Sequence, residues 1–244
     1  IPQMIEEYKT KRLQVGVSPA TVNRELSCLR HLFNKAIEWG YLIKNPMQSV
    51  KLLKEPPGRT RYLRTEEIER LLDVIDTFSE DIRSYLKPIV LIALNTGLRK
   101  REILQLRWKD IYFEKRKITV SVTKTNEVRV IPMNETIYRE LKEMSQKNDS
   151  EYLFCNKKSE PFGNVRKSFD RALKLAGIED FRFHDLRHTF ASHLVMNGCD
   201  IRTVQRLMGH KDIKMTMRYS HLSRSHLQDA VSKLDMSWTP KGIW

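Results

Sequence analysis

Only two stretches of this chain alternate apolar and polar residues, and they follow one another directly. "DIYFEKRKITVSV" (Asp110–Val122) and "EVRVIPM" (Glu127–Met133) flank "TKTN" and read as a small antiparallel sheet with a tight turn. Most of the remaining chain repeats its apolar residues every three or four positions, the spacing of amphipathic helices. The expected class is therefore mainly α with a small antiparallel β-sheet. At 244 residues, the chain can hold one large domain or two modest ones with proper cores.

The helical patterns divide the chain. Ile1, Met4, Ile5, Tyr8 and Leu13 mark a first helix, and "GVSP" restarts the chain with Ser18 as N-cap and Pro19 in the first helical position. A second helix runs from about Ala20 to Trp39, with Val22, Leu26, Leu29, Phe33 and Ile37 on one face and Gly40 closing it. Two helices bury little surface, so residues 1–45 are expected to be the C-terminal part of a larger helical module. The chain also opens without methionine, as a fragment of a longer protein would. Residues 46–61 carry prolines, a glycine and several basic side chains, which predicts an extended, positively charged linker. A second body follows over 62–235. It starts with Thr65 as N-cap, followed by a buried helix near Tyr85–Thr96 that Gly97 breaks, and by another helix from about Arg99. Gly177, Gly198 and Gly209 fall where helix C-caps are expected. Residues 236–244 form a separate tail with Trp238 and Trp244, whose apolar surface calls for a partner in the same chain or a neighbouring one.

Charge narrows the class of partner. With 44 Lys+Arg against 30 Asp+Glu the net charge is +14, a field that favours a polyanion such as nucleic acid. The basic residues are spread along the chain and not gathered on one amphipathic helix, which argues against a membrane-surface role. The longest apolar run, "PIVLIALNTG" (Pro88–Gly97), has the length of a core helix and is too short to span a bilayer. Cys28, Cys155 and Cys199 are far apart and form no CxxC pair, so neither a zinc site nor a disulfide framework is expected, and a cytoplasmic, reducing setting fits best.

Within the second body, "HDLRHTFASHL" (His184–Leu194) reads as a buried helix that nevertheless carries His184, Arg187 and His188. By itself this is ordinary, since a polar side chain at the edge of an apolar stripe usually finds a hydrogen-bond partner and nothing more. Three further stretches change the balance. "TGLRKREILQL" places Arg99 just after a glycine break, "SVTKTNEVRVIP" places Lys124 at or beside a hairpin tip, and "LMGHKDIKMTMRYSHL" places His210 after a glycine and Tyr219 beyond it. Each has a plain structural alternative: Arg99 pairing with Glu102, an exposed hairpin lysine, a core tyrosine. Together they are hard to explain that way.

In order and local spacing these four stretches resemble the motifs of the tyrosine recombinases of the phage-integrase family. "GVSPATVNRELSCLRHLFNKAIEWGYLIKNP" is similar to the last helices of that family's core-binding domain. The resemblance implies a partial helical core-binding domain, a catalytic domain, and site-specific recombination through a 3′-phosphotyrosyl intermediate. It casts Arg99 and Arg187 as catalytic arginines, Lys124 as the hairpin lysine, His184 and His210 as active-site histidines, and Tyr219 as nucleophile. It implies double-stranded DNA as partner, a tetramer in the synaptic complex, cyclic exchange of C-terminal segments, and no metal or nucleotide cofactor. A type IB topoisomerase or a catalytically inactive DNA-binding relative are the alternatives.

The chemistry of these residues agrees with that casting. A phenol gives an isolable phosphate ester but, with a pKa of about 10, needs help in losing its proton. Two guanidiniums can bind the phosphate oxygens on which charge collects. A lysine can protonate the departing 5′ oxygen, one histidine can accept or position a proton, and the other can donate to the phosphate. Glu102 reads as a residue that orients an arginine, His188 as a support of its helix, and Trp39 and Trp108 as core.

Overall fold

The computed structural model describes residues 2–56, 61–122, 127–146, 150–156 and 158–222. Lys124 and the tail lie outside the described residues. The chain separates into two compact units, residues 1–59 and 60–244.

The first unit pairs α1 (Pro2–Gln14) with α2 (Pro19–Glu38). Ser18 accepts the Thr21 backbone N–H, and Pro19 occupies the first turn, where no intrahelical donor is lost. Ile5, Val22 and Leu26 meet Met47 and Val50 in a small core. The extended tether expected over 46–61 is thus corrected for its first half, which packs onto the helices. Asn23 does the joining: its amide donates to the Leu53 carbonyl (2.9 Å) and its side-chain oxygen accepts from the Leu53 N–H (2.8 Å), while Lys9 donates to the Lys51 carbonyl (2.8 Å). Met47 and Val50 drop into the space between the helices, a gain in burial that outweighs the tendency of a basic stretch to stay open. Trp39 is a second correction, being 67% exposed at the C-cap of α2, past the turn where this core ends.

The second unit is built around α4 (Glu80–Thr96), whose Leu86, Ile89, Val90, Ile92 and Ala93 are buried against α3 (Thr65–Asp76), α6 (Glu135–Ser145), α7 (Arg166–Leu175) and α8 (Phe183–Met196). Between α5 (Lys100–Leu104) and α6 lies a three-stranded antiparallel sheet in the order β1 (Ile111–Tyr112), β2 (Lys117–Val122), β3 (Glu127–Pro132). The register pairs Ile118 with Ile131 and Val120 with Arg129, so the period-two pleat turns Arg129 inward while Val128 and Val130 stay exposed. Trp108 packs at the edge of the core.

α8 serves two cores. Leu186 belongs to the large one, whereas Phe190, Ala191 and Val195 join Val204 and Met208 of α9 (Ile201–Met208) and the ring of Tyr219 in a second cluster. The helix carrying His184 and Arg187 is therefore fixed on both sides. Its middle and last turn are also tied to the beginning of the unit: the Leu63 N–H donates to Thr189 Oγ1 (3.0 Å) and His193 Nε2 donates to the Leu63 carbonyl (2.8 Å).

Candidate active site

Two glycines with left-handed backbone open the site. Gly97 caps α4 at φ 62°, and a Cβ there would lie 2.3 Å from Phe190 Cδ1, so α4 and α8 approach more closely than any other residue allows. Two residues on, Arg99 is the N-cap of α5. Its backbone N–H donates to Glu102 Oε2 (2.8 Å) and its guanidinium to Glu102 Oε1 (2.7 Å), the orienting role expected of Glu102. Gly209 caps α9 at φ 62° and delivers His210, whose backbone is clasped by Gln205 and whose Nδ1 lies 2.9 Å from Thr216 Oγ1.

Arg187 binds these two caps together. One guanidinium nitrogen donates to the carbonyl of Gly97 and the other to that of Met208, the residues just before Leu98–Arg99 and Gly209–His210. Arg129, unrecognised in the sequence reading, reaches the same place from the sheet. It donates to Met208 O (2.5 Å) and to Glu102 Oε2 (2.9 Å) with its side chain only 9% exposed. Arg99, Arg129, Arg187 and His210 are thus gathered around one carboxylate and one carbonyl.

Tyr219 follows α10 (Lys214–Met217) and is fully buried. Its hydroxyl is hydrogen-bonded to His188 Nδ1. His184, one turn earlier on α8, is exposed and meets the His188 ring edge-on at 5.2 Å between centroids. The structure therefore brings five of the six expected residues into one region and adds His188 and Arg129. Lys124 is not among the described residues. The sequence held a signal for His188, because it follows Arg187 directly. For Arg129 the only signal was its place in the strand.

The electrostatics follow from crowding cations beneath a surface. Burial, reinforced by Arg99 and Arg129, pushes Arg187 down to about 9, which leaves it charged at neutral pH. Burial also lowers His188 and His210 to about 4, helped by Arg218 for the first and by Arg187 and Arg99 for the second, so both rings are neutral near pH 7. Burial, then Arg187, lowers His184. Burial raises Glu102, but the Arg99 N–H and the Arg129 and Arg99 guanidiniums outweigh it and hold the carboxyl below its ordinary value. Tyr219 is raised by burial, with Arg218 and Arg187 opposing. An open cavity of about 1310 Å³ bordered by Arg99, Arg101, Arg107, Arg129 and His210 adjoins the cluster, wide and cationic enough for a phosphate backbone. Among the described residues no group of three or more His, Cys, Asp or Glu side chains is arranged to hold a metal ion.

A mostly helical unit with one short three-stranded antiparallel sheet is the fold of tyrosine-recombinase catalytic domains. The Tn1549 transposon integrase, solved in complex with circular intermediate DNA, superposes with a TM-score of 0.78 at 25% identity, covering 96% of this chain and 84% of that one. The catalytic domain of bacteriophage HP1 integrase gives a TM-score of 0.56 at 32% identity, over 74% of this chain and 98% of that domain. Residues 61–226 match the phage integrase family and residues 1–54 the phage integrase N-terminal domain; the chain belongs to the phage integrase family. The integrase of Escherichia phage P2 is 33% identical over 230 residues, 94% of this chain, which spans 63% of the phage protein's length.

Proposed function

We propose that this chain is a site-specific DNA recombinase that cuts and rejoins DNA strands through a 3′-phosphotyrosyl intermediate. The observation that carries the reading is that Arg187 ties the Gly97 cap, which precedes Arg99, to the Met208 carbonyl, which precedes His210, beside a tyrosine whose hydroxyl is hydrogen-bonded to an imidazole. Arg99 and Arg187 bind the non-bridging oxygens of the scissile phosphate, where charge grows as the phosphorus becomes five-coordinate. His210 donates to the same phosphate, and exposed His184 positions it. Tyr219 Oη attacks phosphorus as the bond to the 5′ oxygen breaks, and that oxygen takes its proton from Lys124. Because the ester retains the bond energy, a 5′-hydroxyl from another strand reverses the step without a nucleotide cofactor. The net charge of +14 supports double-stranded DNA as the substrate. Exchange between two duplexes requires four active tyrosines, so the working assembly is a tetramer on DNA. Three free cysteines suit a reducing, cytoplasmic compartment.

The experiment is covalent trapping on a nicked suicide substrate, with peptide mapping of the adduct. Wild type should attach through Tyr219, and Tyr219→Phe should bind the same DNA without attaching. An adduct that survives this substitution, or maps to another tyrosine, refutes the assignment. Recombination of two duplexes, as opposed to relaxation of one supercoiled circle, separates recombinase from topoisomerase.

A further inference from the structure

We infer that His188 is the general base that takes the Tyr219 proton during cleavage, a role that rests on the phosphotyrosyl chemistry proposed above. Among the described residues, the side-chain partner of the Tyr219 hydroxyl is His188 Nδ1, and the two rings lie 5.8 Å apart between centroids. His184 meets the His188 ring, and among the described residues it makes no hydrogen bond to the phenol. Position along the helix explains the difference. His184 and His188, four residues apart, share one face of α8, and His188 is one turn nearer the stretch of the helix whose Phe190, Ala191 and Val195 join Val204, Met208 and Tyr219 in one cluster. The base is thereby fixed to the same rigid helix as a phosphate-binding arginine, so the phenol is held one helical step from where phosphate binds.

Burial, then Arg218, His184 and Arg187, keep the His188 ring neutral near pH 7 against the opposing pull of Asp185, as a proton acceptor must be. In the step itself the Tyr219 proton passes to Nδ1, which requires the tautomer with hydrogen on Nε2, and the ring becomes imidazolium. The Tyr219 oxygen–phosphorus bond forms, the phosphorus–5′-oxygen bond breaks, and Lys124 supplies the 5′ proton. On rejoining, both protons return.

The test compares His188→Ala and His188→Asn with wild type in single-turnover cleavage of the suicide substrate. Each is made with tyrosine and with the more acidic 3,5-difluorotyrosine at position 219, and DNA binding serves as the check on folding. The Asn amide can hydrogen-bond the phenol in place of Nδ1 but cannot take its proton. Both variants should cleave about 100-fold more slowly than wild type with tyrosine. With difluorotyrosine, which ionises without help, that gap should shrink at least roughly tenfold. The role is overturned if His188→Asn cleaves at the wild-type rate, or if the defect is equal for both phenols. Faster cleavage by His188→Ala also overturns it, since the contact would then be a restraint on the nucleophile. In these outcomes the adduct still maps to Tyr219 and the recombinase reading stands; an adduct at another tyrosine overturns both.

Discussion

Arg129→Met removes the guanidinium that joins the sheet to the Met208 carbonyl and to Glu102 while keeping most of the apolar volume. Two charge-assisted hydrogen bonds disappear, one to Met208 O (2.5 Å) and one to Glu102 (2.9 Å). Such bonds contribute about 1.5–3 kcal/mol each, and a buried partner left unsatisfied adds its own desolvation cost. Here neither partner is stranded, because Glu102 keeps the Arg99 N–H and guanidinium and Met208 O keeps Arg187. Burying a cation is itself unfavourable, and the Arg129 Nε is buried without a hydrogen bond, so relief of that cost offsets part of the loss. The expected net destabilisation is about 2–3 kcal/mol, below the roughly 3–5 kcal/mol of a broken buried pair because both partners keep other donors. In a unit of this size that lowers the melting temperature by about 4–12 °C. Cleavage should suffer more than stability, because Arg99 and the His210 loop lose their common strut and a displacement of about 1 Å costs on the order of 100-fold in rate. Thermal unfolding followed by circular dichroism, and single-turnover cleavage well below the variant's melting temperature, measure the two effects. A variant that melts within about 1 °C of wild type and cleaves at full rate would show that Arg129 carries no such strut.

Gly97→Ala should destabilise by about 2–5 kcal/mol, combining a left-handed alanine with displacement of the Phe190 ring that its Cβ would meet at 2.3 Å. Adding Phe190→Leu should recover the ring-displacement part and leave the backbone part; strict additivity in urea unfolding would contradict the contact. Lowering the pH from about 6.5 to 5 should also destabilise the second unit, because folding depresses His188 and His210 to about 4 from an unfolded value near 6.5. The unfolded chain binds more protons throughout that window, so stability is complete above pH 6.5 and is lost as pH falls toward the folded values. After allowance for solvent screening of these half-buried rings, about 1–2 kcal/mol each is at stake over the whole window. Urea midpoints of wild type and the His188→Gln/His210→Gln double variant, taken at pH 7.5 and 5, test this; an unchanged pH slope in the double variant would refute it.

The class of fold and most of the cluster were legible in the sequence because they depend on local rules. One pair of alternating segments among helical repeats specifies a single hairpin in a helical protein, and the register observed joins those two segments. Gly97 and Gly209 are read as caps because a left-handed backbone after a helix favours glycine wherever it occurs. Spacing of three placed His184 and Arg187 on one face of α8, and spacing of three let Glu102 return to the Arg99 N–H. None of these needs a distant part of the chain.

What the sequence could not decide were the choices between equivalent faces and between alternative partners. In "EVRVIP" either set of alternating residues could have faced inward, and pairing with Ile118 and Val120 selected Arg129 and Ile131 over the more apolar Val128 and Val130. A buried guanidinium is tolerated there because Glu102 and the Met208 carbonyl, 27 and 79 residues away, are waiting for it. The same holds for Met47 and Val50, which composition placed in an open tether until the gap between α1 and α2 gave them somewhere to go. His188 was one of several histidines until the Thr216–Tyr219 turn set a hydroxyl against its Nδ1. Sequence thus determined which residues could do phosphate chemistry, since side-chain type and local spacing are written in it; tertiary packing decided which nitrogen meets which oxygen, since that contact depends on how separate elements close on one another.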